Sequence, residues 1–139
     1  MNSIFLDTNV LLDVLCDRQP YYEKSIEVWT LAETGAVQGF ISAISFNNIY
    51  YIVRKARDRK TAEKVLGMLR DVFTPVALDG QIINQALAAG FKDFEDAIQY
   101  HSALHAKASC LISRDAADFP RSGLLILSPA EYLATLPSE

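Results

Sequence analysis

Apolar residues along this chain fall into short unbroken runs and stripes at helical spacing, and the two kinds alternate from one end to the other. Ile4, Phe5 and Leu6 form the first run, which reads as a buried strand and stops at Asp7. Behind it Val10, Leu11 and Val14 take up helical spacing, with Thr8 or Asn9 as the N-cap. Asp17-Arg18-Gln19-Pro20 breaks the pattern, and Pro20 is placed as the first residue of a helix through Ile26, Val28, Trp29 and Leu31 that Gly35 ends. Val37 to Ile41 reads as a second short strand. Ser42 or Ser45 then caps a helix carrying Ile49, Tyr50, Ile52 and Val53, which finishes in Arg54-Lys55-Ala56-Arg57, where cations suit the negative end of the dipole. Asp58 to Phe73 is the clearest amphipathic helix, with Ala62, Val65, Leu66, Leu69 and Val72 on one stripe until Pro75 stops it. Val76-Ala77-Leu78 is the next strand candidate. Asp79 caps a helix through Ile82, Ile83, Ala86 and Leu87, and Asp93-Phe94-Glu95-Asp96 opens another that runs to about Lys107. Cys110-Leu111-Ile112 is a further strand, Leu124 to Leu127 the last, and Ser128-Pro129 starts a final helix with Tyr132 and Leu133.

Strands that alternate with helices predict an α/β fold, a mostly parallel sheet covered on both faces. The 139 residues, half of them apolar, suit one domain spanning 1–139 with a real core, and no repeat or linker divides them. The net charge of −4 provides no broad cationic surface for holding nucleic acid, so any such chemistry needs metal ions or local basic clusters. Cys16 and Cys110 are too few for a disulfide scaffold, and each lies in an apolar run where a buried thiol packs well. There is no basic, apolar leader and no apolar stretch of about 20 residues. The expectation is a soluble cytoplasmic protein without a membrane partner.

Asp7 sits in a strand-to-helix turn, at the sheet edge where ligands bind in open α/β folds. Taken alone it reads as a cap for the helix behind it, but acids recur in matching places. Asp115 follows the Cys110–Ile112 strand, whose end meets the same edge. Asp93 and Asp96 share the first turn of a helix, where the dipole alone would also favour them. Acids from three turns meeting at one edge repel each other unless a cation holds them. Mg²⁺ or Mn²⁺ is the natural occupant, and such a centre suits phosphodiester hydrolysis.

Three motifs carry a resemblance over nearly the whole chain: Phe5-Leu6-Asp7-Thr8-Asn9, Asp93-Phe94-Glu95-Asp96-Ala97, and Ile112-Ser113-Arg114-Asp115-Ala116-Ala117-Asp118-Phe119. In this order and at these separations they resemble the PIN-domain family of metal-dependent ribonucleases, which includes the VapC-type toxins of toxin–antitoxin modules. The resemblance implies a three-layer α/β/α fold with a mostly parallel sheet of four to five short strands. It implies Asp7, Asp96 and Asp115 as metal-binding acids, with Asp118 and Asp93 in support and Thr8 and Asn9 orienting Asp7 or shaping the turn. It further implies Mg²⁺ or Mn²⁺ as cofactor, RNA as substrate, an antitoxin partner and a homodimer. One position departs from the family pattern: Ser45-Phe46-Asn47-Asn48 puts Asn48 where an acid usually stands. An amide adds no negative charge and is no base, so activity is expected to be weakened unless Glu95 or Asp93 compensates, and Asn48→Glu is expected to raise it.

Two other functions fit parts of the sequence. A haloacid-dehalogenase-like phosphatase would use Asp7 as nucleophile and Asp115 with Asp118 for Mg²⁺, but its acid/base position is Asn9 here. A catalytically degenerate binding module would explain Asn48. His101 and His105, one turn apart, could share a zinc ion, but no third ligand at helical spacing completes the set, and they read as surface or core residues. Tyr50, Tyr51 and Trp29 could stack on bases, although beside Ile49, Ile52 and Val53 the tyrosines read as core. Arg54, Lys55, Arg57, Arg59 and Lys60 form the densest basic patch, a solvated face or, for a nuclease, the phosphate contact.

Overall fold

The computed structural model describes residues 2–120 and 123–137. Its centre is β1 (Ser3–Leu6), where a buried apolar run forms the middle strand of a five-stranded sheet. β1 pairs with β2 (Gln38–Ser42) on one side and with β4 (Cys110–Ile112) on the other, while β3 (Thr74–Val76) and β5 (Ile126–Leu127) close the two edges. Every pairing is parallel, and the order is β3-β2-β1-β4-β5. In the central register Ile4 faces Cys110 and Leu6 faces Ile112, so β1 and β4 end side by side.

Alternation along the strands divides the core. Ile4, Leu6, Ile41, Cys110 and Ile112 join the larger cluster, formed with α1 (Thr8–Leu15), α2 (Tyr22–Glu33), α3 (Ala43–Ala56), α4 (Arg59–Val72) and α7 (Pro129–Ala134). Phe5 and Leu111 point the other way, toward Tyr100 and Ala103 of α6 (Phe94–His105), on which α5 (Gly80–Ala88) packs. The result is the three-layer α/β/α arrangement expected from the sequence, with a five-stranded sheet. Among the described residues no helix is long and apolar enough to cross a membrane.

Several boundaries differ from the sequence expectation, each for a local reason. Asp7, in extended conformation, is the N-cap of α1, and Thr8 is already helical. Pro20 precedes α2 instead of opening it: the chain is still in a turn there, and Tyr21 is the N-cap of a helix that starts at Tyr22. Ser42 supplies the cap of α3, accepting from the Ile44 N–H. β3 lies at Thr74–Val76, not at Val76–Leu78. Pro75 is tolerated there because β3 is an edge strand, and Leu78 packs toward Ala97 and Ile98 instead. α6 stops at His105, with Lys107 behind it at positive φ. β5 is only Ile126–Leu127, but Ser128 and Glu131 make a full capping box for α7. Of the cysteines, Cys110 is buried, which pushes its thiol up to about 11, whereas Cys16, at the end of α1, is exposed.

Gly39 shows how tightly the larger layer packs. A Cβ there would lie 2.7 Å from the Phe73 ring and 3.0 Å from Ala32, and Phe73 is held edge-on against Trp29 with centroids 5.0 Å apart. Gly39→Ala is therefore expected to lower stability by about 1–3 kcal/mol through overpacking, read as a drop in denaturation midpoint with an unchanged denaturant slope.

Candidate active site

The β1–α1 turn carries Asp7 to the carboxyl edge of the sheet, beside the end of β4. The Asp7 N–H donates to the Ile112 carbonyl at 2.9 Å, which fixes the backbone, and the carboxylate oxygen Oδ2 accepts from the Ser113 hydroxyl at 2.8 Å. Asp7 is only 3% exposed, and its side chain makes no N-cap bond to the later N–H groups of the first turn of α1. Burial pushes the Asp7 carboxyl up from 3.8 to about 6, and Glu95 and Asp115 add to that rise, while bonds from Ser113 and the Thr8 backbone oppose it.

Asp96 enters from the first turn of α6. Burial, followed by the charges of Asp7, Asp93, Asp118 and Glu95, raises its carboxyl from 3.8 to about 7. Asp93 has a different job from Asp96: it is the N-cap of α6, its Oδ1 accepting from the Asp96 N–H at 3.1 Å. Asp115 follows β4 and is exposed, and Asp118 lies in the single 3₁₀ turn Ala116–Asp118 behind it. Asp7, Asp93, Glu95, Asp96, Asp115 and Asp118 all line one cleft of about 800 Å³. The structure thus brings the acids singled out in the sequence to one edge and adds Glu95.

Asn9 belongs to the Asp115 side of the site. Its Nδ2 donates to Asp115 Oδ2 at 3.1 Å and its Oδ1 accepts from the Arg114 N–H at 3.3 Å, so both ends of the amide tie α1 to the loop after β4. Thr8 turns inward from Asp7: its hydroxyl shares a hydrogen bond of 2.7 Å with Ser45, and Gln99 Nε2 donates to Thr8 at 3.1 Å and Ser45 at 3.3 Å. This buried group joins α1, α3 and α6, the three helices that approach the acids. The loop is held from outside as well. Arg114 sits 3.6 Å from the buried Asp13 carboxylate and 4.2 Å above the Tyr21 ring.

Asn48 stands at the cleft margin and donates through Nδ2 to Glu95 Oε2. Burial and Asp93 raise the Glu95 carboxyl while this bond lowers it, so the carboxylate absent from α3 has a neighbour on α6. Gln99, Ser45, Asp13 and Ser113 were not singled out from sequence. Gln99 did leave a signal, a polar residue on the buried stripe of α6 three places after Asp96. The histidines show no zinc arrangement: His101 packs among Phe91 and Tyr100, and His105 is exposed.

Whether these residues suit a divalent cation turns on donor chemistry. The cleft is rich in hard carboxylate oxygens, and burial and like charge raise the proton affinity of Asp7 and Asp96, the condition a cation relieves. Among the described residues no three acidic, histidine or cysteine side chains are drawn together as a closed metal-binding group. The fit is that of an ion held loosely by carboxylates of the cleft with water filling its remaining positions, since Mg²⁺ usually keeps several waters.

Residues 3–117 match the sequence model of the PIN domain. The chain belongs to the PIN domain family. Curated protein sequences yield no match. Among solved structures, this PIN domain superposes on VapBC-1 from nontypeable Haemophilus influenzae with a TM-score of 0.69, over 92% of this chain and 98% of that one at 17% identity. It superposes on a toxin–antitoxin complex from Klebsiella pneumoniae with a TM-score of 0.67, over 91% and 97% at 22% identity. For VapC20 from Mycobacterium tuberculosis, described as a sarcin-ricin loop cleaving toxin, the TM-score is 0.65 over 84% and 96% at 15% identity. At these identities the likeness is one of fold. The acid/base position that the phosphatase alternative requires is here the bridging amide of Asn9.

The raised carboxyls give the PIN domain a definite pH dependence. Asp7 and Asp96 hold protons more tightly in the folded chain than in the unfolded one, so stability is greatest below about pH 4 for these groups and is lost as pH rises toward 6 and 7. Metal-free protein should melt several degrees lower at pH 7.5 than at pH 5, and Asp7→Asn should raise the pH 7.5 melting temperature. Mg²⁺ or Mn²⁺ should stabilise the unaltered protein at pH 7.5 and leave Asp7→Asn nearly unmoved. Thermal melts in EDTA and in added metal check both statements.

Proposed function

We propose that this PIN domain is a metal-dependent ribonuclease and the toxin component of a toxin–antitoxin pair. One observation carries the reading: Asp7 and Asp96, with carboxyls raised to about 6 and about 7, share a cleft with Glu95, Asp115 and Asp118 at the carboxyl edge of the sheet. Asp7, Asp96 and Asp115 would hold Mg²⁺ or Mn²⁺, with Asp118 in support. The bound ion supplies positive charge for the scissile phosphate and lowers the pKa of the attacking water, so hydrolysis needs no side-chain nucleophile.

The chain's own residues orient and pin. Ser113 sets the rotamer of Asp7, Asn9 sets that of Asp115, and the Gln99–Thr8–Ser45 group fixes the helices that bring the acids together. Glu95 contributes the negative charge that Asn48 lacks, and Asn48 holds Glu95 in place. The fold likeness to a sarcin-ricin loop cleaving toxin supports RNA as the substrate, and the likeness to toxin–antitoxin complexes supports a separate antitoxin that covers the cleft. A homodimer and a cytoplasmic location belong to the same proposal.

Cleavage of structured RNA in Mg²⁺ or Mn²⁺ tests it. Asp7→Asn should reduce the rate by about a hundredfold or more, since it removes charge from the centre that stabilises the reacting phosphate. Contact with Glu95 reverses the gain expected from sequence for Asn48→Glu: two adjoining carboxylates repel, and the rate should fall. Asn48→Glu combined with Glu95→Gln exchanges acid and amide, and should recover most of it. Cleavage indifferent to Asp7 overturns the reading.

A further inference from the structure

Helix α3 has two faces. Ile49 and Val53 are buried, while Asn48, Tyr51, Ile52 and Lys55 follow at spacings of three, four and seven from the first, a single stripe along the helix. The stripe starts at the acid cleft, where Asn48 touches Glu95, and leads away from it. Tyr51, read from sequence as core, is 59% exposed and Ile52 is 39% exposed. Together with Leu12 of α1 they wall a second cavity of about 390 Å³, rimmed by Asn9, Asn48 and Glu95. Asn9 and Glu95 also line the acid cleft, so the two cavities share a wall. Tyr50 braces the Tyr51 ring edge to face, with centroids 5.6 Å apart.

We propose that this second cavity is a nucleobase subsite, in which Tyr51 stacks on an unpaired base next to the scissile phosphate and Lys55 and Arg54 hold a neighbouring phosphate. The inference rests on the nuclease reading and narrows its substrate to RNA that is single-stranded at the cut. A flat heterocycle needs an apolar face to stack on and an edge of donors and acceptors. Tyr51, Ile52 and Leu12 provide the face, and the two amides and one carboxylate provide the edge. Arg54 and Lys55 lie one turn beyond Tyr51 on α3, both exposed, and neither takes part in an ion pair found among the described residues. In a chain of net charge −4 they offer cations beside an anionic centre, and a base in the cavity places the next phosphate toward them. An exposed tyrosine and isoleucine would equally suit a protein surface. The wall shared with the acid cleft and the free cations at the outer end favour RNA.

The test uses full-length Asp7→Asn protein, so that binding is read without cleavage, and a short oligoribonucleotide containing 2-aminopurine, whose fluorescence is quenched on stacking. In Mg²⁺ the single strand should bind with quenching, and the same sequence in a duplex should bind more weakly without it. Adding Tyr51→Ala should cost about tenfold in affinity and abolish quenching, while Tyr51→Phe should preserve both. Lys55→Ala should weaken binding and flatten its salt dependence. Tyr51 is exposed, so circular dichroism of these variants should be unchanged. Equal binding of single strand and duplex, or indifference to Tyr51→Ala, overturns the subsite. Tyr51→Ala that alters sedimentation of the free protein and leaves RNA binding unchanged overturns it in favour of a second copy of the chain. Stacking that persists while the unaltered protein cuts no RNA leaves the subsite standing and removes the nuclease reading.

Discussion

Repulsion between carboxylates that have been taken out of water is the constraint on which this molecule is built. Asp7 is almost wholly buried and faces Asp96, Glu95 and Asp115 across a cleft whose charged lining, apart from Lys92, is acidic. Left alone, such a group would splay the α1 and α6 ends apart or keep its protons. The fold resists by attaching each acid to a rigid element. Asp7 is fixed by β4 through both backbone and side chain, Asp115 by Asn9, and the helices beneath by a buried amide and two hydroxyls. Preorganisation of this kind lowers the stability of the free protein and favours whatever divalent ion relieves it.

Much of this was legible in the sequence because it depends on short-range signals. The run Ile4-Phe5-Leu6 ending at Asp7 and the run Cys110-Leu111-Ile112 ending near Asp115 announce two parallel strands, and parallel strands share a carboxyl edge. Side-chain caps at Asp79 and Ser128 follow the same local logic and appear where the chain predicts them, while Asp58 and Asp93, read as part of their helices, stand one residue ahead as N-caps. What escaped was decided at long range. Gln99 meets Thr8 across 91 residues and Asn48 meets Glu95 across 47, and no periodicity reports such pairings. Position along a helix also fails to tell a buried aromatic from an exposed one when both flank the stripe, so Tyr50 packs against the core and Tyr51 does not.

The two helical layers are unequal, and the inequality matters for the site. Among the described residues one face of the sheet is covered by five helices in a continuous apolar cluster, whereas the other is covered by α5 and α6. The thick layer sets the position of α1 and α3. The thin layer presents Glu95 and Asp96 from the first turn of α6 to the wall of the cleft.

The middle strand has its partners far along the chain. Ile4 pairs with Cys110, and the Asp7–Ser113 bond spans 106 residues, so β1 must wait for β4 before the central pairing exists. Long-range parallel pairing closes slowly, since loop entropy is lost before the contacts form. During synthesis the nascent polypeptide therefore carries its acids apart, and the cell meets the assembled cleft only after β4 has been made and has joined β1.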